Sequence, residues 1–176
     1  MDMHGAAPKA CSDNKWRHPC EGKVKLNSDV AFHAESGESH AGAVARDHRG
    51  QVIFSLSKRL VRCSTVEEAE ASALMARLRS LSDLYRGPII VETDCMAVAN
   101  CLQPGVANLS ACYHVIVDTR RELENFSEAQ IMHINWNQNI LAHHLAARAR
   151  CKADMLMVEG LPEDLDAVLA ADVLVG

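Results

Sequence analysis

The chain has no basic excess. Its 18 Lys and Arg are outnumbered by 23 Asp and Glu, for a net charge of −5 over 176 residues. A protein that simply coats nucleic acid carries a strong positive surplus. Any nucleic-acid chemistry here must therefore be local, with metal ions offsetting negative charge. There is also no CxxC pair. The seven cysteines stand at 11, 20, 63, 95, 101, 112 and 151, an odd number at scattered spacings, which argues against a zinc ribbon and for reduced thiols in an intracellular protein. No apolar run approaches the roughly 20 residues of a membrane span. The opening MDMHGAAPKACSDNKW lacks an apolar signal region, so no secretory signal is expected. No internal repeat is visible.

What is present is 48% hydrophobic residues and 23% charged ones, enough for one compact α/β-sized domain. Residues 1–22 are polar and interspersed with Gly and Pro. They read as a disordered or loosely packed leader, with a single folded domain over 23–176.

Lys23–Ala34 alternates in period two and predicts a strand. Ala41–Arg46 predicts a second, Asp47–Gly50 a tight turn and Gln51–Ser57 a third, so the fold should open with an antiparallel meander. Ser64–Tyr85 predicts a helix capped by Ser64 or Thr65, with Glu67 or Glu68 completing a capping box. Leu74, Leu78 and Leu81 mark its apolar side. Pro88–Glu92 predicts a buried strand, Cys95–Leu102 a short helix, Leu109–Phe126 a longer one, Gln130–Asn135 a last strand, and Ile140–Lys152 a helix. Leu161–Val175 predicts one further helix. A meander followed by α/β alternation gives a mixed sheet flanked by helices.

Three carboxylates look out of place. Asp29 falls in the middle of a strand, where aspartate is depleted. Either the strand is an edge facing water, or the charge has a job. Glu70 lies one turn before Leu74 on the apolar side of its helix, whereas glutamate is rarely buried unless paired or coordinated. An acidic first turn explains Glu67 and Glu68 better than it explains Glu70. Asp94 follows an apolar strand and precedes a helix, as an N-cap does. Strand ends in α/β sheets are also where ligands bind. Brought together, the three would repel one another and need divalent cations. Hard oxygen donors select Mg2+ or Mn2+, and two such ions about 4 Å apart activate water and stabilise the leaving oxygen in phosphodiester cleavage.

Five stretches occur in an order that resembles the ribonuclease H fold, specifically the plant-type, retroelement-related ribonuclease H-like domain. They are Trp16, Pro19 and Gly22 leading into KVKLNSDVAF; AGAVARDHRGQV; AEASALMARL; IIVETDCMAVANCL; and HINWNQNILAHHLA. The resemblance implies a five-stranded mixed sheet in the order 3-2-1-4-5, flanked by helices. It implies metal-dependent cleavage of the RNA strand of an RNA–DNA hybrid, with catalytic and metal-ligating carboxylates at Asp29, Glu70 and Asp94.

The chain also departs from the family. Val30 stands where the family has glycine. In the last motif, H-V-x-R-x-x-N-x-x-A-D-x-L-A, the arginine has become Trp136 and the fourth catalytic aspartate has become His143. On a helix His143 and His144 point about 100° apart, so they do not readily chelate one ion together. His143 could serve as a weaker ligand through a neutral nitrogen or as a proton acceptor. Imidazole suits Mn2+ better than Mg2+. The alternative is a catalytically impaired domain that acts as a nucleic-acid-binding or protein-interaction module. His133 matches a loop histidine of the family that assists product release, or is a solvent-facing residue at a strand end. Lys58, Arg59 and Arg62 form the best basic cluster for phosphates, with Arg120-Arg121 and Arg148-Arg150-Lys152 as others. Trp136 could stack on a base or sugar, or pack in the core.

Overall fold

The computed structural model describes residues 15–106 and 112–172. The meander is present: β1 (Val24–His33), β2 (Glu38–Arg46) and β3 (Val52–Arg59) pair antiparallel. Helix α1 (Val66–Ser82) follows, then β4 (Ile89–Thr93), α2 (Met96–Cys101), α3 (Tyr113–Leu123), β5 (Ala129–His133), α4 (Ile140–Arg148), β6 (Met155–Val158) and α5 (Asp166–Asp172). Short 3-10 turns at Trp136–Gln138 and Glu163–Leu165 lead into α4 and α5. The start predicted for the longer helix at Leu109 lies outside the described residues. So do the last residues of the predicted tail helix.

The sheet is mixed, as expected, but has six strands in the order β5-β4-β1-β2-β3-β6. The five expected strands keep the order 3-2-1-4-5. The addition is β6, which lies antiparallel on the outer edge of β3. Its four residues, MLMV, are too short to show a period against the surrounding loop.

Strand β1 lies in the middle of the sheet, parallel to β4 on one side and antiparallel to β2 on the other. Asp29 is therefore not on an edge. Along β1, Val24, Leu26 and Val30 enter the larger core, with Leu74, Leu78 and Leu81 of α1 and Ile116 of α3. Lys25, Asn27 and Asp29 point to the opposite face, where α4 packs through Leu141 and Leu145 against Val44. This second helix layer sits very close. A Cβ on Gly42 would collide with the backbone at Ala142 and Ala146 of α4, so only glycine allows the helix to settle there. The Ser57 hydroxyl donates to the Leu145 carbonyl at 2.8 Å and ties the same helix to β3.

The cap of α1 forms as the sequence suggests. The Thr65 hydroxyl accepts from the Glu68 N–H at 3.1 Å, and Glu68 reaches back to the Ser64 N–H at 2.7 Å.

The packed part of the chain begins earlier than the leader boundary at 22. Trp16 is buried at 1% exposure, with the Arg46 guanidinium 3.7 Å from its ring centre. Arg46 pairs with Asp172 of α5 at 2.7 Å and donates to Asn27 at 3.4 Å. Residues 1–14 lie outside the description. Among the described residues six cysteines are free thiols, and no helix is long and apolar enough to cross a membrane.

Candidate active site

Asp29 projects from central β1, Glu70 from the second turn of α1, and Asp94 from the first residue past β4. One carboxylate oxygen from each lies within 4.8 Å of the others. Three residues far apart in sequence thus meet at one end of the sheet, because β1 and β4 run parallel side by side and α1 packs across β1. Asp29 and Glu70 are buried and Asp94 is half-buried. The Val30 backbone N–H, next to Asp29 on the strand, favours the ionised Glu70 carboxyl.

The charges are costly to hold together. Burial, with the Asp29 and Asp94 charges adding to it, pushes the Glu70 carboxyl up to about 8, while Arg77 works in the other direction. Burial, followed by the Asp29 charge, raises Asp94. These are the two causes that favour a protonated carboxyl, low polarisability around the group and like charge beside it. A divalent cation reverses the second. The donors are hard oxygens in a compact set, so the residues present fit Mg2+ or Mn2+.

Asp94 is not the N-cap of α2. That place falls to Cys95, and the Thr93 hydroxyl accepts the Cys95 N–H at 3.1 Å. Asp94 is instead held from a second direction. The Asn139 side-chain amide donates to Asp94 Oδ1 at 3.2 Å and to the Ser28 carbonyl at 2.9 Å. Its own oxygen accepts from Asn27 at 3.4 Å. Asn139 is fully buried at the start of α4 and links β1, β4 and α4 at the site. The sequence signal was its place in the last motif, three residues past Trp136.

Of the three carboxylates His143 reaches Asp29, and its ring nitrogens lie outside the compact set of three oxygens. Its Nδ1 lies 2.8 Å from Asp29 Oδ2, while its side chain stays 64% exposed. An ionised carboxylate only accepts, so Nδ1 carries the hydrogen, and in the neutral ring the lone pair is then on Nε2. His144 is exposed, with its ring centre 6.2 Å from that of His143 and nearly perpendicular, as the helical geometry implied. His133 is exposed at the end of β5 and donates from Nε2 to the Asp94 carbonyl at 3.2 Å.

Val30 leaves the backbone regular. Its φ is negative, it pairs with Ala41 in the ladder, and its side chain is buried in the core. Trp136 is 68% exposed and plays no part in core packing.

Of the basic clusters, Arg120 is spent on the carbonyls of Cys101 and Val106, and Arg121 pairs with Asp118. Arg148 is half-buried near Asp164. Lys58, Arg59 and Arg62 are exposed. Their neighbour Ser57 pairs with Gly42, which pairs with Asp29. Lys58 and Arg59 therefore lie at the same end of the sheet as the carboxylates, about 10 Å away across two strand spacings.

Sequence reasoning passed over Arg77. It lies seven residues after Glu70, among the leucines of the apolar stripe, and is completely buried. Its guanidinium donates to the Ser28 hydroxyl and, at 2.7 Å, to the Asp29 carbonyl.

Comparison with known proteins agrees with this geometry. The profile of the reverse transcriptase-like family matches residues 27–149. A provisionally named ribonuclease H protein of Arabidopsis thaliana is 27% identical over 131 residues, which is 74% of this chain and 21% of that protein. The chain thus spans about a fifth of the length of this curated relative. RNase H1 of the halophilic archaeon Halobacterium salinarum superposes with a TM-score of 0.67 at 25% identity, covering 73% of this chain and 98% of that one. An RNase H1 from compost, LC11, solved in complex with an RNA/DNA hybrid, superposes at 0.63 with 18% identity, covering 72% and 95%, a likeness of fold. With the family profile covering most of its length and its strands arranged as in these structures, the chain belongs to the reverse transcriptase-like family and carries a ribonuclease H-like domain.

Proposed function

We propose that this chain is a divalent-cation-dependent endoribonuclease that cleaves the RNA strand of RNA–DNA hybrids by a two-metal mechanism on Asp29, Glu70, Asp94 and His143. The observation that carries the reading is the convergence of three carboxylate oxygens from β1, α1 and the end of β4 within 4.8 Å. Mg2+ or Mn2+ held there supplies a more acidic water and offsets charge on the scissile phosphodiester.

The chain's own groups do the rest. Asp29 sets the tautomer of His143 through Nδ1, so Nε2 holds the ring's one lone pair, offered either to a metal ion or to a proton of the attacking water. The water oxygen bonds to phosphorus, the bond from phosphorus to the leaving sugar oxygen breaks, and that oxygen takes up a proton from solvent. Asn139 holds the Asp94 rotamer through the reaction. Lys58, Arg59 and Arg62 offer charge to the backbone phosphates, and exposed Trp136 offers a stacking face to a base or sugar. The compost RNase H1 of the same fold is solved with an RNA/DNA hybrid, which supports the substrate class. The six free thiols among the described residues support an intracellular setting, nuclear or cytoplasmic.

One observation favours a second reading. His143 stands in place of a fourth carboxylate, and an impaired domain that binds nucleic acid or a protein partner without cutting would tolerate that change. The deciding experiment is cleavage of a labelled RNA–DNA hybrid in Mg2+ and, separately, in Mn2+, with Asp94→Asn as control. Cleavage abolished by Asp94→Asn is the expected result. No cleavage in either metal from a well-folded sample overturns the nuclease reading and leaves the binding module.

A further inference from the structure

Behind Asp94 the buried polar groups continue past Asn139 in a chain that the proposed chemistry does not use. Arg46 and Asn27 are wholly buried, and Asn139 and Glu92 nearly so. Arg46 Nη2 donates to Asn27 Oδ1 at 3.4 Å. Asn27 Nδ2 donates to Asn139 Oδ1 at 3.4 Å and to Glu92 Oε2 at 2.9 Å. Asn139 Nδ2 donates onward to the Ser28 carbonyl and to Asp94 Oδ1. Arg46 is itself anchored by Asp172 and the Trp16 ring, and Glu92 by Lys25 at 2.7 Å.

The bonds all run in one direction. A guanidinium only donates, and a side-chain amide has one accepting end and one donating end. With Arg46 on its oxygen, Asn27 turns its NH2 toward Glu92 and Asn139. With that NH2 on its own oxygen, Asn139 turns its NH2 toward Asp94. A reversed amide at either place would set oxygen against oxygen in a dry interior, where an unpaired polar group is costly. Asn27 lies two residues before Asp29 on the same face of β1, so the strand that supplies one carboxylate also orients the group that holds another.

We propose that Asn27 is a positioning residue of the site. It acts through Asn139, fixing that amide with its donor end toward Asp94 and so setting the Asp94 rotamer. The effect on cleavage rests on the proposed nuclease reading, whereas the link from Asn27 to Asn139 does not.

The test reverses the donor at position 27 while keeping the neighbouring bonds. In the double variant Asn27→Asp/Glu92→Gln, the glutamine amide donates to the new carboxylate, Arg46 keeps its acceptor, Lys25 keeps the Arg17 carbonyl, and the summed charge of the two positions is unchanged. Position 27 then offers Asn139 an acceptor instead of a donor. Asn27→Asp alone puts two carboxylates face to face and should melt well below the native chain. The double variant should recover most of that loss. Its cleavage of a labelled RNA–DNA hybrid in Mn2+ should nevertheless stay low, with kcat down by roughly 10- to 100-fold, as losing a group that orients a metal ligand costs, and with KM near the native value. Recovery of kcat along with the melting temperature would overturn the positioning role and leave a packing network. A raised KM at native kcat would overturn it as well.

Asn27→Ala removes the donor without adding charge, and it carries the test if the double variant does not fold. It should show the same loss of kcat at near-native KM, and a native kcat would overturn the proposal. Melting in chelator tests the link alone. Asn27→Ala and Asn139→Ala combined should lower the melting temperature by less than the two single effects added together, as partners in one bond do. Additive effects would overturn the link. Failure of the nuclease reading looks different. The native chain would then neither cut nor respond to Mn2+, while the melts in chelator would still decide whether Asn27 holds Asn139.

Discussion

His143 Nδ1 lies 2.8 Å from Asp29 Oδ2, so the residue that replaces a family carboxylate is hydrogen-bonded to one of the carboxylates that remain. The pairing fixes which ring nitrogen is left to work. Nitrogen suits Mn2+ better than Mg2+, and cleavage should be faster in Mn2+. His143→Asp should restore an all-oxygen site and shift the preference toward Mg2+. His143→Ala should slow cleavage by about 10²-fold or more if Nε2 is the general base, and shift the metal preference if Nε2 is a ligand. Single-turnover rates in each metal check all three.

Asn139 should matter almost as much as the carboxylate it holds. Asn139→Ala removes the donor to Asp94 Oδ1 and to the Ser28 carbonyl and leaves buried acceptors unpaired, at roughly 1–3 kcal/mol. Cleavage should fall with little change in hybrid affinity. Melting curves and binding isotherms on the same variant separate the two effects.

The Glu70 carboxyl gives a pH dependence whose sign can be stated. Burial, with Asp29 and Asp94 adding to it, lifts its pKa from 4.5 to about 8 in the folded chain. The folded state therefore holds the proton more tightly than the unfolded one. The stability linked to it is complete below the unfolded value and is lost as pH rises through about 8. In chelator, the melting temperature should drop as pH is raised through that window. Glu70→Gln should flatten the drop, and Mg2+ or Mn2+ should counter it. Melting curves across pH with and without metal read this directly.

Gly42 should be intolerant of any side chain. Gly42→Ala drives a Cβ into the α4 backbone at Ala142 and Ala146. Relief requires α4 to lift off the sheet, at roughly 1–3 kcal/mol for overpacking. The same movement carries His143 away from Asp29, so activity should fall further than the stability loss explains. Activity measured well below the melting transition distinguishes the two.

Fluorescence can isolate Trp136. The chain has two tryptophans. Trp16 is buried under Arg46, whereas Trp136 is 68% exposed. Hybrid binding, followed in the Asp94→Asn background to prevent cutting, should quench and shift the emission of Trp136 alone. Trp136→Phe should keep most of the affinity, and Trp136→Ala should lose about 1–3 kcal/mol if one base stacks. A titration with no spectral change would remove Trp136 from the interface.

Much of this was legible along the chain. Period-two alternation in β1 to β3, the Thr65 cap and the leucine stripe of α1 are local signals, because each depends on neighbours within a turn or a strand. Asp29 and Glu70 stood out because each is a residue type that its own element disfavours, and Asp94 because it follows an apolar strand at the sheet end where ligands bind. The strand β6 was missed because four residues carry no usable period. The tie of Trp16 and Arg46 to Asp172 was missed because it spans more than a hundred residues.

The sequence by itself determined the order of strands and helices and the misplaced carboxylates, since propensity and burial pattern act over short range. Only the tertiary structure decided that β1 is central, that Gly42 lets α4 close on the sheet, that His143 meets Asp29, and that Arg77 lies buried behind the site. These are distances between residues remote in the chain, and they are set by how two helix layers pack on one twisted sheet, which no local pattern encodes.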